Sequence, residues 1–265
     1  MGKTLRVSNS HLEAGNSKKP ANFAKVKQTN NFLVPLPIEQ RKRRKKPKTK
    51  KKIIINSEGK MAGGREDKAL RKIAASFEPL AEVATSGGVA MEVGPFSHAC
   101  AHVSVLFGCL GIAFKFAEKD YVSKVDDLIE ASKSITTLND MIELDIQQDC
   151  ARQGGSHTRN LLRVKRGVDM VRVLFEEIIK SDGNSLKDAA SVAYEKVFAP
   201  HHGWAIRKAV AAGMYALPSK SQLLKRLNED EGSAKVEMQS FVRISGPVIQ
   251  YIEELFNSRQ LGIDW

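Results

Sequence analysis

Arg159, Arg163 and Arg166 recur at steps of four and three, so on a helix they form one line. That line runs opposite the apolar stripe Leu161, Val164, Val168, Val171, Phe175 and Ile178. Guanidinium groups set in a line offer planar, paired donors, and the chemistry that suits them is capture of a phosphate or carboxylate. Further along, the same line reads Met170, Val173 and Leu174. The basic face therefore turns apolar about 10 Å beyond Arg163, at about 1.5 Å per residue. Asp120 and Lys124 stand one turn apart on an earlier segment, on the face that Cys109, Ala113 and Phe116 occupy further back. Taken singly, the acid–lysine pair is an ordinary i,i+4 ion pair and the arginines a solvated face. Two segments that each set charges beside an apolar line suit an amphiphile, with its anionic head on the arginines and its tails in the core.

Other groups carry less. His201-His202-Gly203-Trp204, after Pro200, opens a helix and supplies a hydrogen-bond donor and an indole suited to an interface. His98 and His102 have i,i+4 spacing, but Ala99, Cys100 and Ala101 lie between them, without the glutamate of a zinc hydrolase motif. Ser156-His157 is too local to act as nucleophile and base. With neither a phosphate-cradling glycine loop after a strand nor a nucleophile elbow, nothing positive supports an enzyme.

The elements that must position these residues are helices, since apolar residues repeat at three and four and almost never alternate. The spacing predicts helices over Glu66 to Ala84, Phe96 to Ala131, Thr136 to Ala151 and Gly155 to Ile179. It predicts four more over Leu186 to Phe198, Trp204 to Leu217, Lys220 to Asn228 and Lys235 to Leu255. Ser181-Asp182-Gly183-Asn184, Ala199-Pro200 and Leu217-Pro218-Ser219 separate them as turn residues should. The class is all-α, with residues 61–265 as one domain.

The 265 residues are 42% apolar, enough for a buried core, and carry a net charge of +12. That charge is concentrated at one end. Residues 1–60 hold 17 basic and 3 acidic side chains, whereas residues 61–265 hold 25 and 27. The body is thus close to neutral and lacks the basic footprint of a nucleic-acid-binding domain. The tail culminates in Arg41-Lys42-Arg43-Arg44-Lys45-Lys46-Pro47-Lys48-Thr49-Lys50-Lys51-Lys52, whose charge density predicts disorder. Such a run suits nuclear entry, an anionic-lipid anchor or plain solvation. Met61 also begins a plausible shorter chain where the composition changes. Three cysteines, Cys100, Cys109 and Cys150, show no paired spacing and point to a reducing compartment. The longest apolar run, Val103 to Phe114, stops at Lys115, far short of the roughly 20 residues that span a bilayer. These features predict a soluble, cytoplasmic protein that touches membranes peripherally.

With Asp120-Tyr121-Val122-Ser123-Lys124, Arg159-Asn160-Leu161-Leu162-Arg163 and Ala199-Pro200-His201-His202-Gly203-Trp204 in view, the chain resembles the glycolipid transfer protein superfamily, and within it the ceramide-1-phosphate branch. The likeness runs from about Lys68 to Trp265 and includes Phe96-Ser97-His98-Ala99-Cys100, Phe107-Gly108-Cys109-Leu110-Gly111 and Gln260-Leu261-Gly262-Ile263-Asp264-Trp265. It implies a two-layer helical sandwich around an apolar pocket for the two hydrocarbon chains, and transfer of a phosphorylated sphingolipid between membranes. A sphingolipid sensor in cell-death signalling, without net transport, is the alternative. By family position Asp120 would bind the ceramide amide N–H and hydroxyl, and His202 would donate to the amide carbonyl. Lys124, Arg159 and Arg163 would clamp the phosphate, and Trp204 would touch the membrane. The resemblance calls for no cofactor, no metal and no catalytic residue.

Overall fold

The computed structural model describes residues 68–265. The expected basic tail, its run from Arg41 to Lys52, and a start at Met61 lie outside the described residues. Within them the chain folds into nine α-helices joined by short turns, and no strand forms. They are α1 (Ala69–Ser86), α2 (Val93–Cys109), α3 (Lys115–Ala131), α4 (Leu138–Gln147) and α5 (His157–Lys180). After these come α6 (Lys187–Val197), α7 (Trp204–Gly213), α8 (Lys220–Arg226) and α9 (Glu231–Ser258).

Local chemistry starts several of them. The Thr137, Ser156 and Asp230 side chains each accept from the backbone N–H three residues on, and Ser219 with Gln222 forms a full capping box on α8. The Asp230 cap starts α9 four residues before the expected Lys235, and the helix runs on through Pro247.

α5 is the central element, packed against α9, α6, α3 and α4, while α1 lies on α9 and α2, and α2 on α3. Every residue of its predicted stripe is buried. At about 1.5–3 kcal/mol per fully buried side chain, such a stripe holds a helix in place. Val173 and Leu174 on the other side are buried too, as a helix inside the fold requires. Phe77 of α1 and Phe175 of α5 both meet Phe241 of α9 edge to face, at 5.2 and 5.7 Å between ring centroids. Among the described residues the larger clefts are open and mainly polar, and packed side chains occupy the apolar interior.

One expected helix is two. The segment Phe96 to Ala131 breaks after Cys109, because Gly111 takes φ +98°, a conformation that side-chain-bearing residues rarely adopt. A 3₁₀ turn over Ile112–Phe114 follows, and α3 starts afresh at Lys115. The common face drawn from Cys109 through Ala113 and Phe116 to Asp120 is therefore lost. Ile112 is 90% exposed and Phe116 82%.

The crossing of α3 and α5 is unusually close. A Cβ on Gly167 would stand 2.5 Å from Cε2 of Tyr121. That ring cannot step aside, since its hydroxyl donates to the Cys100 carbonyl at 3.0 Å and its face stacks on Phe107 at 4.8 Å. Gly167→Ala should gain about 1 kcal/mol in helix propensity but lose about 1–3 kcal/mol to overpacking. Urea denaturation should show a lowered midpoint, and an unchanged or raised midpoint would mean that the helices have room to spare.

Candidate functional site

The close crossing brings α3's polar turn against α5's. Lys124 Nζ donates to Asp120 Oδ1 at 2.7 Å, and Arg163 Nη2 reaches Asp120 Oδ2 at 3.4 Å. The second contact is long, so most of the Arg163 donor capacity is left over. Arg159 lies one turn earlier on α5 and gives Nη1 to the Arg152 carbonyl at 2.9 Å. Lys124 and Arg163 thus flank one carboxylate, and Arg159 shares the cleft beside them. Beside them opens a cleft lined by Ser123, Lys124, Asp127, Gly154, Gly155, Arg159, Asn160 and Arg163.

His202 reaches this group from the chain after the Ala199–His201 turn. Its Nδ1 lies 2.9 Å from the Tyr194 hydroxyl, and its ring stacks on Phe198 at 5.6 Å. Burial, then the positive charges of Arg163 and Arg166, hold the His202 pKa below its ordinary value, with Asp120 pulling the other way. The neutral imidazole is therefore the resting form near pH 7. The Tyr194 hydroxyl and Nδ1 share one hydrogen bond, and the tautomer that carries its proton on Nε2 presents that edge as a donor.

The structure gathers Asp120, Lys124, Arg159, Arg163 and His202 on one side of the fold, and it removes Arg166 from their line. Arg166 is buried and donates to the carbonyls of Ile263 and Trp265 at 2.5 and 2.8 Å. Burial leads the causes that lower its pKa to about 10, with Arg163 and Arg159 adding to the effect. Periodicity alone could not separate it from the other two arginines, because its acceptors lie 97 and 99 residues away in sequence.

Sequence reasoning also missed Asp127, which accepts from Asn160 Nδ2 at 2.8 Å and lies 2.9 Å from His157 Nδ1. Those contacts tie the first turn of α5 to α3. The signal was present as Asp120, Lys124 and Asp127 on successive turns of one face. Ser156 serves as the α5 cap, and His98 turns back to the Gly94 carbonyl. Among the described residues no group of three His, Cys, Asp or Glu side chains is placed to hold a metal ion.

Trp204 opens α7 with 75% of its surface exposed, and none of the ten residues of that helix is buried. Gly213 at its far end lies against Phe114 and Ala113, so the turn carrying the exposed Ile112 flanks α7. Ile206 and Tyr215 are exposed as well. This exposed apolar surface is larger than the single Trp204 contact expected from sequence, and surfaces of this kind mark interaction sites. Among the described residues no helix is long and apolar enough to cross a membrane.

Comparison with known proteins places this geometry. Residues 91–229 match the glycolipid transfer protein (GLTP) family. Accelerated cell death 11 of Arabidopsis thaliana is 63% identical over 206 residues, covering 77% of this chain and 100% of the relative. The ceramide-1-phosphate transfer protein of Danio rerio is 28% identical over 165 residues, covering 57% and 78% respectively. The crystal structure of an Arabidopsis accelerated-cell-death 11 mutant complexed with C12 ceramide-1-phosphate matches at TM-score 0.74 and 63% identity, over 76% of this chain and 100% of that one. Mouse ceramide-1-phosphate transfer protein, in its apo form, matches at TM-score 0.65 and 20% identity over 72% and 97%, a likeness of fold. In its all-helical architecture, over most of its described length and across the segment that holds Asp120, Arg163 and His202, the chain belongs to the glycolipid transfer protein family.

Proposed function

We propose that this chain binds a phosphorylated sphingolipid of the ceramide-1-phosphate type and carries it between membranes, without covalent chemistry. The observation that supports this most is the single carboxylate of Asp120 between Lys124 and Arg163, with Arg159 alongside and His202 near. The relative at 63% identity, whose mutant was crystallised with C12 ceramide-1-phosphate, points the same way.

The chemistry follows from the groups. A phosphate takes the free donors of Arg163 and Arg159 together with the Lys124 ammonium. Asp120, an acceptor, takes the amide N–H that a sphingolipid has and a glycerolipid lacks. A buried group left unpaired costs about 1–3 kcal/mol, so the wrong lipid is disfavoured. Neutral His202 donates from Nε2 to the amide carbonyl. For the tails, about 0.8 kcal/mol per CH₂ makes a 16-carbon chain cost roughly 13 kcal/mol to expose to water. A protein that parts its helices around the chain removes that barrier, and the lipid gradient sets the direction. Trp204, Ile206, Ile112 and Phe116 would touch the bilayer during uptake, in keeping with a cytosolic protein that docks transiently.

Transfer of fluorescent ceramide-1-phosphate between phosphatidylcholine vesicles should fall at least about tenfold for Asp120→Ala and for Arg163→Ala, the scale of one charge-assisted contact. Full activity in both variants would refute the assignment. Trp204→Ala should slow transfer mainly through weaker sedimentation with vesicles, and unchanged sedimentation would free Trp204 from that role. Because the folded His202 pKa lies below its ordinary 6.5, its contribution to stability is present above pH 6.5 and is lost as pH falls through the lower folded value. Thermal midpoints measured from pH 7.5 downward should therefore decline in acid, less so in His202→Gln. Parallel curves for the two would remove His202 as a source of the slope.

A further inference from the structure

The six residues Gln260 to Trp265, which follow Arg259, the C-cap of α9, form a strap whose anchors are neighbours of the headgroup residues. α9 ends in a Schellman-type turn, with the Leu261 N–H donating to the Phe256 carbonyl and the Gln260 N–H to the Asn257 carbonyl, both at 3.0 Å. The chain then doubles back, and the Trp265 indole N–H donates to the carbonyls of Leu261 and Gly262 at 3.0 and 3.1 Å. Leu261, Ile263 and Trp265 rest against the apolar core.

Two arginines hold the strap to the rest of the fold. Arg152 donates to the Leu261 carbonyl at 2.5 Å and sets its guanidinium 5.7 Å from the centre of the Trp265 ring. The Arg152 carbonyl is the acceptor for Arg159. Arg166, bound to the Ile263 and Trp265 carbonyls, follows Arg163 by three residues on α5. His201, adjacent to His202, faces Asp264. Arg159 is thus bonded to a residue that the strap holds, and Arg163 and His202 each stand within three residues of one that meets the strap.

We propose that the Gln260–Trp265 strap positions the headgroup clamp, fixing Arg159 and Arg163 toward the cleft and holding Arg166 away from it. Resting on the function proposed above, this makes the strap a determinant of preference for phosphate-bearing over uncharged sphingolipid. Without it Arg166, buried, loses both acceptors, and a guanidinium in that position must find another partner. The nearest open ground is the Arg159–Arg163 face, where a third arginine would repel the other two. The strap residues act through the arginines and touch no lipid.

The test compares the full chain with the same chain ended after Arg259 and with the variants Arg152→Gln and Trp265→Ala. Binding and vesicle transfer are measured for fluorescent ceramide-1-phosphate and fluorescent ceramide, with helical content and thermal midpoint recorded alongside. Loss of the strap should weaken ceramide-1-phosphate binding roughly tenfold while ceramide binding changes less than about twofold. If the shortened chain does not fold, the two point variants decide the matter by the same ratio. Equal losses for both lipids would mark a merely structural strap and overturn the proposal, as would no loss for either. A full chain that moves no ceramide-1-phosphate overturns the functional reading itself, whereas a full chain that moves it beside strap variants of unchanged preference overturns only the strap's role.

Discussion

The contact of Tyr121 with Gly167 is the constraint on which the site depends. The ring fills the space that any side chain at position 167 would need, with its hydroxyl on the Cys100 carbonyl and its face on Phe107. Tyr121 is the neighbour of Asp120, and Gly167 lies one turn beyond Arg163 on α5. The depth of this one crossing therefore decides whether the Asp120 carboxylate meets the Arg163 guanidinium. A wider approach of α3 to α5 would leave an isolated lysine–aspartate pair on one helix and loose arginines on another.

Electrostatics at the site make sense only with that crossing in place. Asp120 and Arg163 are each more than a third exposed along their side chains, and ion pairs of such exposure add little to stability. Their use lies elsewhere. A carboxylate outnumbered by cations stays a good acceptor for an amide N–H, and the surplus positive charge is available to an anion beside it. Burial, with the field of Arg163 and Arg166 added, keeps His202 neutral. The exposed α7 and the turn at Ile112–Phe114 set a greasy face on the same fold, which joins a charged binding site to a means of approaching lipid.

Several departures from simple helical periodicity have one origin. Apolar residues spaced from Phe96 to Ala131 read as a single long helix, but the backbone turns at Gly111 and the fold then leaves Ile112 and Phe116 outside. Arg166 fits the spacing of Arg159 and Arg163 yet points to carbonyls of the strap. In both cases a repeat along the chain reports which residues share a face and is silent on what that face will meet. The stripe from Leu161 to Ile178 was legible because burial of one continuous side against the core is the commonest outcome of such a pattern.

The sequence by itself determined that the chain is helical, that α5 buries one side throughout, and that Asp120 with Lys124 forms a pair one turn apart. Local hydrogen bonding and side-chain spacing suffice for these, since partners three or four residues apart meet on any helix. Only the tertiary structure decided that Asp120 meets Arg163 across 43 residues of sequence and that His202 faces the same group. It likewise sent Arg166 to the strap. Those pairings depend on how closely two helices approach and on where a turn redirects the backbone, distances that packing sets and that no local pattern encodes.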